Sequence, residues 1–146
     1  MPAWWAQTIT VRYELDKGLR LPRICVNVAR AQLNSVGFAP FVAGILAKYG
    51  LEPARLELEI SERGVLSGIY DVINQLHDLK SFGVRLSVDD FGTGDSAIAY
   101  LKELPIDVLK IDRSYIAGLT NNEKDDALVS AMVALGQRMG LTVVAE

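Results

Sequence analysis

The 146-residue chain has a single cysteine, Cys25, and a single histidine, His77. A lone cysteine excludes an internal disulfide, and one residue of each type is too few for a structural zinc cluster. No apolar run reaches the roughly 18 residues that a membrane-spanning helix requires. Low-complexity tracts, linkers and blocks of one charge are also missing, so no domain boundary is expected within residues 1–146. No charged-then-apolar leader opens the sequence, and with the scarce cysteine this points to a reducing, cytoplasmic setting. Fifteen Lys and Arg against 18 Asp and Glu give a formal charge of -3, which argues against broad electrostatic binding of a nucleic-acid polymer. The chain does have an apolar complement: 50% of its residues are hydrophobic, enough for a real core.

Five short β-branched or aliphatic runs stand out, at Ile24 to Ala29, Leu56 to Ile60, Val84 to Val88, Val108 to Ile111 and Leu141 to Ala145. Helical periodicity separates them. Phe38, Phe41, Val42, Ile45, Leu46 and Tyr49 recur at three- and four-residue steps and end at Gly50. Ile69, Val72, Ile73, Leu76 and Leu79 repeat the pattern, with Gly83 placed for a positive φ before the next strand. Ser96 is a candidate cap for a helix that Pro105 ends. Asn121 or Asn122 would cap another that carries Leu128, Met132, Leu135 and Met139. Near the N-terminus, Trp4, Trp5, Ile9 and Tyr13 suit the packing stripe of a helix.

Strands alternating with helices predict right-handed βαβ units and a parallel sheet. Side-chain parity then separates an open sheet from a barrel. One parity is aliphatic in every strand, as in Val26 and Val28, Leu58 and Ile60, Leu86 and Val88, Leu109 and Ile111, and Val143 and Ala145. The other carries Asn27, Glu57 and Glu59, Arg85, Ser87 and Asp89, Lys110 and Asp112, and Thr142 and Glu146. An aliphatic face toward helices and a polar face toward one shared interior is the pattern of an α/β barrel. The polar residues gather at the C-terminal strand ends, the catalytic face of a (β/α)8 TIM-type barrel. Any one of them alone would equally be a solvated strand-end residue. Several carboxylates around one Lys, however, call for cations, and hard oxygen donors suit Mg²⁺ or Mn²⁺. Cys25 and His77 are not expected to cluster there; Cys25 reads as a small buried residue and His77 as exposed.

These residues carry a family resemblance. Val26-Asn27-Val28 followed by Gln32-Leu33, then Leu56-Glu57-Leu58-Glu59-Ile60-Ser61-Glu62, then Asp89-Asp90-Phe91-Gly92-Thr93-Gly94, then Leu109-Lys110-Ile111-Asp112-Arg113, and finally Val143-Val144-Ala145-Glu146 resemble, in order and spacing, the motifs of the EAL domain family of cyclic-di-GMP phosphodiesterases. The resemblance implies a TIM-type barrel that hydrolyses cyclic di-GMP to linear pGpG with two metal ions, Mg²⁺ or Mn²⁺. Carried over by position, it makes Asn27, Glu59, Asp89, Asp90 and Asp112 metal ligands or their supports. Lys110 would orient the attacking water and offset phosphate charge, and Glu146 would act as general base. Glu62 would anchor the loop Phe91, Gly92, Thr93 and Gly94, which is expected to be mobile and to face substrate.

Some features depart from the family pattern. The sequence contains no Glu-Ala-Leu, the tripeptide of the family's first strand, and only about five strands of an eight-stranded barrel are expected. Asn27-Val28-Ala29-Arg30-Ala31-Gln32 stands where the family usually has Asn-x-Ser-Ala-Arg-Gln, and Asp95 replaces a usual Tyr. From these departures follow weak or absent turnover by these residues alone, and a homodimer or other self-association through open barrel edges. Sensor or GGDEF domains are the expected companions in a parent protein. The competing reading is a catalytically degenerate module that binds cyclic di-GMP or a protein partner. A barrel enzyme acting on some other phosphorylated metabolite is the third.

Overall fold

The computed structural model describes residues 23–66, 69–93, 98–119 and 122–145. The expected stripe of Trp4, Trp5, Ile9 and Tyr13 lies outside them, as do Gly94, Asp95, Ser96, Asn121 and Glu146.

Five strands, β1 (Ile24–Asn27), β2 (Leu56–Ser61), β3 (Arg85–Phe91), β4 (Val108–Ile111) and β5 (Thr142–Ala145), form one parallel sheet in sequence order. The connecting helices are α1 (Arg30–Leu33), α2 (Phe38–Tyr49), α3 (Glu62–Leu66), α4 (Ile69–Ser81), α5 (Ile98–Leu101), α6 (Arg113–Ala117) and α7 (Glu123–Arg138). Parallel neighbours in sequence order are what successive right-handed βαβ crossovers of a barrel generate.

The helix ends follow the local chemistry. Gly50 closes α2 in the left-handed region at φ 59°, and there its amide bonds the Ala47 and Leu46 carbonyls. Asn122 rather than Asn121 caps α7, its side chain accepting from the Lys124 amide at 3.1 Å. At the opposite end of the sheet from the polar rim, Asp107 takes both carboxylate oxygens to Lys80 Nζ, at 2.8 and 2.9 Å, while also accepting from the Leu86 amide at 2.9 Å. One side chain thereby ties the last turn of α4 to the starts of β3 and β4.

The aliphatic parity faces the helices. Val26, Leu58, Ile60, Leu86, Val88, Leu109 and Ile111 are buried against Val42 and Leu46 of α2 and Val72, Leu76 and Leu79 of α4. Leu86 has 0% exposure on the central strand, so Leu86→Ala opens a cavity in the packed core. The expected loss is about 2 to 5 kcal/mol, read as a lower urea midpoint at unchanged m-value.

Three expectations need correction. Phe91 is no loop residue: it ends β3, pairs with Ile111 and is 1% exposed, so it fills the core. Leu128 of α7 and Phe41 of α2 are exposed although their spacing placed them on buried stripes. Cys25 is exposed rather than buried. His77 lies on an exposed face of α4, as its spacing implies.

Candidate active site at the carboxyl ends of the strands

Register brings the polar parity into layers. Cys25, Glu57 and Arg85 lie abreast on β1, β2 and β3, and Asn27, Glu59 and Ser87 lie abreast two residues on. In the lower layer Glu57 Oε2 accepts from Arg23 Nη1 at 3.3 Å and from Arg85 Nε at 3.5 Å. In the upper layer Lys110 Nζ reaches Glu59 Oε1 at 2.6 Å from β4. The two strands are not neighbours. Between those strands on β3, Ser87, abreast of Glu59, is small and fully buried. Glu57, Glu59 and Lys110 are all at most 9% exposed, and burying carboxylates at little cost in free energy requires partners of opposite charge such as these.

Cys25 sits beside both carboxylates. Its Sγ and oxygens of Glu57 and Glu59 lie within 4.8 Å of one another, the sole such group of three among the His, Cys, Asp and Glu of the described residues. The expectation that Cys25 joins no cluster is therefore corrected. Partial burial and the carboxylates of Glu57 and Glu59 push the thiol up from its ordinary pKa, so at neutral pH it is a proton-bearing group that donates to Glu59.

The paired aspartates occupy a bulge. Val88 pairs with Leu109 and Phe91 with Ile111, so β3 spends one residue more than β4 over this span. Asp90 takes up the extra residue with φ +56°, in the left-handed region that Asp tolerates better than most residues. Its amide donates to Asp89 Oδ1 at 2.9 Å, and the Thr93 hydroxyl donates to its carbonyl at 2.8 Å. Two consecutive carboxylates therefore sit at the strand end, while Phe91 returns to the buried face.

Asp112 caps α6 beside them. The Ser114 hydroxyl and the Ser114 amide both donate to Asp112 Oδ1, the amide at 2.8 Å, and they hold its carboxyl below the usual carboxylate range. Asp112 thus stays ionised, and its contribution to stability is present above the ordinary carboxylate pKa and lost as pH falls through the depressed one. Ser114→Ala removes the larger of the two causes. A carboxyl-carbon NMR titration without metal should show Asp112 moving back up toward the ordinary value, and an unchanged midpoint would contradict this assignment.

Asp90, Asp112, Ser61, Glu62, Arg63 and Thr93 line a cleft of about 360 Å³. On its inner side Glu62, 2% exposed, accepts from the Gly92 amide at 3.0 Å, so α3 grips the turn that follows the aspartates. Gly92 has φ +100°, and a Cβ there would fall 2.9 Å from Tyr115 Cε2, so both conformation and space call for glycine. The Tyr115 hydroxyl donates to the Gly92 carbonyl. Sequence reasoning passed over Tyr115, which lies on neither strand parity; its position three residues after Asp112 on a short helix was the available signal.

The site residues thus fall into two groups. Glu59 and Lys110 are in contact, with Asn27 abreast of Glu59. Asp89, Asp90 and Asp112 share the rim with Glu62, Gly92 and Thr93, and the Asp90 carboxyl lies against Asp112. Adjacent carboxylates repel unless a cation or proton intervenes, and their donors are hard oxygens. The residues fit a hard divalent cation, whereas sulfur enters only in the layer below, through Cys25.

The EAL domain family model matches residues 7–146. Over 136 residues the chain is 40% identical to the bifunctional diguanylate cyclase/cyclic di-GMP phosphodiesterase MucR of Pseudomonas aeruginosa, covering 93% of this chain and 20% of that protein. Among solved structures, the EAL domain of Mycobacterium smegmatis DcpA superposes with a TM-score of 0.90 at 38% identity, covering 97% of this chain and 64% of that one. A cyclic di-GMP complex of the PaMucR phosphodiesterase superposes with a TM-score of 0.88 at 38% identity, over 97% of this chain and 57% of that one. The chain spans about a fifth of the length of MucR. Its five parallel strands are an arc of the α/β barrel of these neighbours, and the chain belongs to the EAL domain family.

Proposed function

We propose that this rim takes part in metal-dependent hydrolysis of cyclic di-GMP to linear pGpG. The observation that carries the reading is the bulge at Asp89 and Asp90, which sets two adjacent carboxylates at the strand ends beside Asp112 and within the same rim as the Glu59–Lys110 pair. The similarity to MucR and to a phosphodiesterase solved with cyclic di-GMP supports the choice of substrate.

Asn27, Glu59, Asp89, Asp90 and Asp112 would hold Mg²⁺ or Mn²⁺ in a two-metal site. When bound, such cations supply Lewis acidity toward a phosphodiester oxygen and toward an attacking water. The chain's own residues do the rest. Lys110 has only donors, so its ammonium turns to anionic phosphate oxygen once Glu59 is otherwise occupied. Glu62 holds Gly92 and with it the turn next to the aspartates. Glu146, the proposed general base, would take the proton of the water. No Glu-Ala-Leu carboxylate is present among the 146 residues, so turnover by these residues alone is expected to be slow.

A second reading, motivated by the departures at Ala29-Arg30-Ala31 and Asp95, is that the rim binds cyclic di-GMP or a protein partner without cleaving anything. Self-association through β1 and β5, which each pair with one strand among the described residues, belongs to both readings. Calorimetric titration with cyclic di-GMP in Mn²⁺, followed by chromatography of the same sample, separates them. Heat with linear product supports hydrolysis, heat with intact ligand supports the binding module, and no heat contradicts a nucleotide-binding role.

A further inference from the structure

The turn after the paired aspartates is held from two opposite sides. Glu62 accepts the Gly92 amide at 3.0 Å from α3, and the Tyr115 hydroxyl donates to the carbonyl of the same glycine from α6. Both polar groups of one peptide position are therefore committed to side chains. The Tyr115 ring also closely approaches Gly92, where a Cβ would come 2.9 Å from Cε2.

Tyr115 is further tied to the rim through its own helix. Its amide bonds the Asp112 carbonyl at 3.1 Å, so one short helix presents the Asp112 carboxylate at its cap and the Tyr115 hydroxyl one turn later. A small cavity of about 170 Å³ beside Tyr115 is lined by Phe91, Leu128 and Met132 and also by Glu62 and Gly92, the two groups that hold the turn. A displaced ring would lose its bond to Gly92 and release the peptide beside Asp90.

We propose that Tyr115 is a positioning residue for the cation site: by fixing the Gly92 carbonyl against the grip of Glu62, its hydroxyl sets the bulged conformation of Asp89 and Asp90 and so the affinity of the rim for a divalent cation. This rests on the metal-binding reading above. It adds a residue that touches neither metal nor nucleotide and acts through the backbone.

The test is Tyr115→Phe, which keeps the ring and its packing. Amide exchange is followed by NMR at Gly92 and, as internal references for the folded sheet, at Leu58 and Leu109. Exchange at Gly92 should rise about threefold to tenfold relative to the two references, the worth of one hydrogen bond. Mn²⁺ affinity, titrated by electron paramagnetic resonance, should fall about tenfold, as for loss of a group that orients a ligand. Unchanged relative exchange at Gly92 overturns the proposal, and so does faster exchange with unchanged Mn²⁺ affinity. A wild-type protein that binds no Mn²⁺ overturns the functional reading and the cation part of this proposal with it, while exchange at Gly92 still reports the mechanical coupling. The two failures are thereby distinguishable.

Discussion

Lys110→Met is expected to destabilise the metal-free protein by about 3 kcal/mol or more, because it strands the Glu59 carboxylate, 7% exposed, without its cation. The ammonium lies 2.6 Å from Glu59 Oε1, and the neighbouring Cys25 thiol is only a weak donor. Urea unfolding in the presence of a chelator measures the loss. Two further arms distinguish charge from packing. Glu59→Gln in the Lys110→Met background removes the stranded charge and should recover most of the stability. Mn²⁺ should stabilise the single variant more than the wild type, since the cation takes the place that the ammonium held. A loss below about 1 kcal/mol would mean that solvent already screens the pair.

The second large effect concerns the bulge. Asp89→Asn and Asp90→Asn each remove a charge from the rim while keeping the side-chain shape, and Asn also tolerates the φ of +56° that Asp90 adopts. Stability should change little. Mn²⁺ affinity should fall by at least about 100-fold for each, beyond the 10- to 100-fold typical of groups that merely orient a ligand. Variants that bind Mn²⁺ as the wild type does would remove the paired aspartates from the proposed site. Removal of Glu57 is the informative contrast. It sits one layer lower, paired with Arg23 and Arg85, and its loss should cost stability without a matching loss of Mn²⁺ affinity.

Much of this was legible in the sequence, for identifiable reasons. The strands showed themselves because parallel barrel strands bury one parity against helices, and Leu58, Leu86 and Leu109 obey that rule. The helix ends at Gly50 and Asn122 were legible because capping is local chemistry. Phe91 was assigned to the loop with the rest of its motif, and strict alternation would not have recovered it, since the bulge that brings it to the core is visible only as a shift in pairing with β4. The Glu59–Lys110 contact spans non-adjacent strands, a relation that no single segment encodes. Leu128 shows the converse limit. Helical spacing identifies a stripe, but whether a neighbour covers all of it is decided by tertiary packing, and Leu128 lies at an uncovered edge.

Product analysis tests hydrolysis by this rim directly. Cyclic di-GMP is incubated with the protein in Mn²⁺, and the nucleotides are separated over time. Linear pGpG should accumulate slowly, stop accumulating on addition of a chelator, and be absent with Asp89→Asn. Intact cyclic dinucleotide after prolonged incubation, or linear product formed at the same rate with the chelator present, would contradict it.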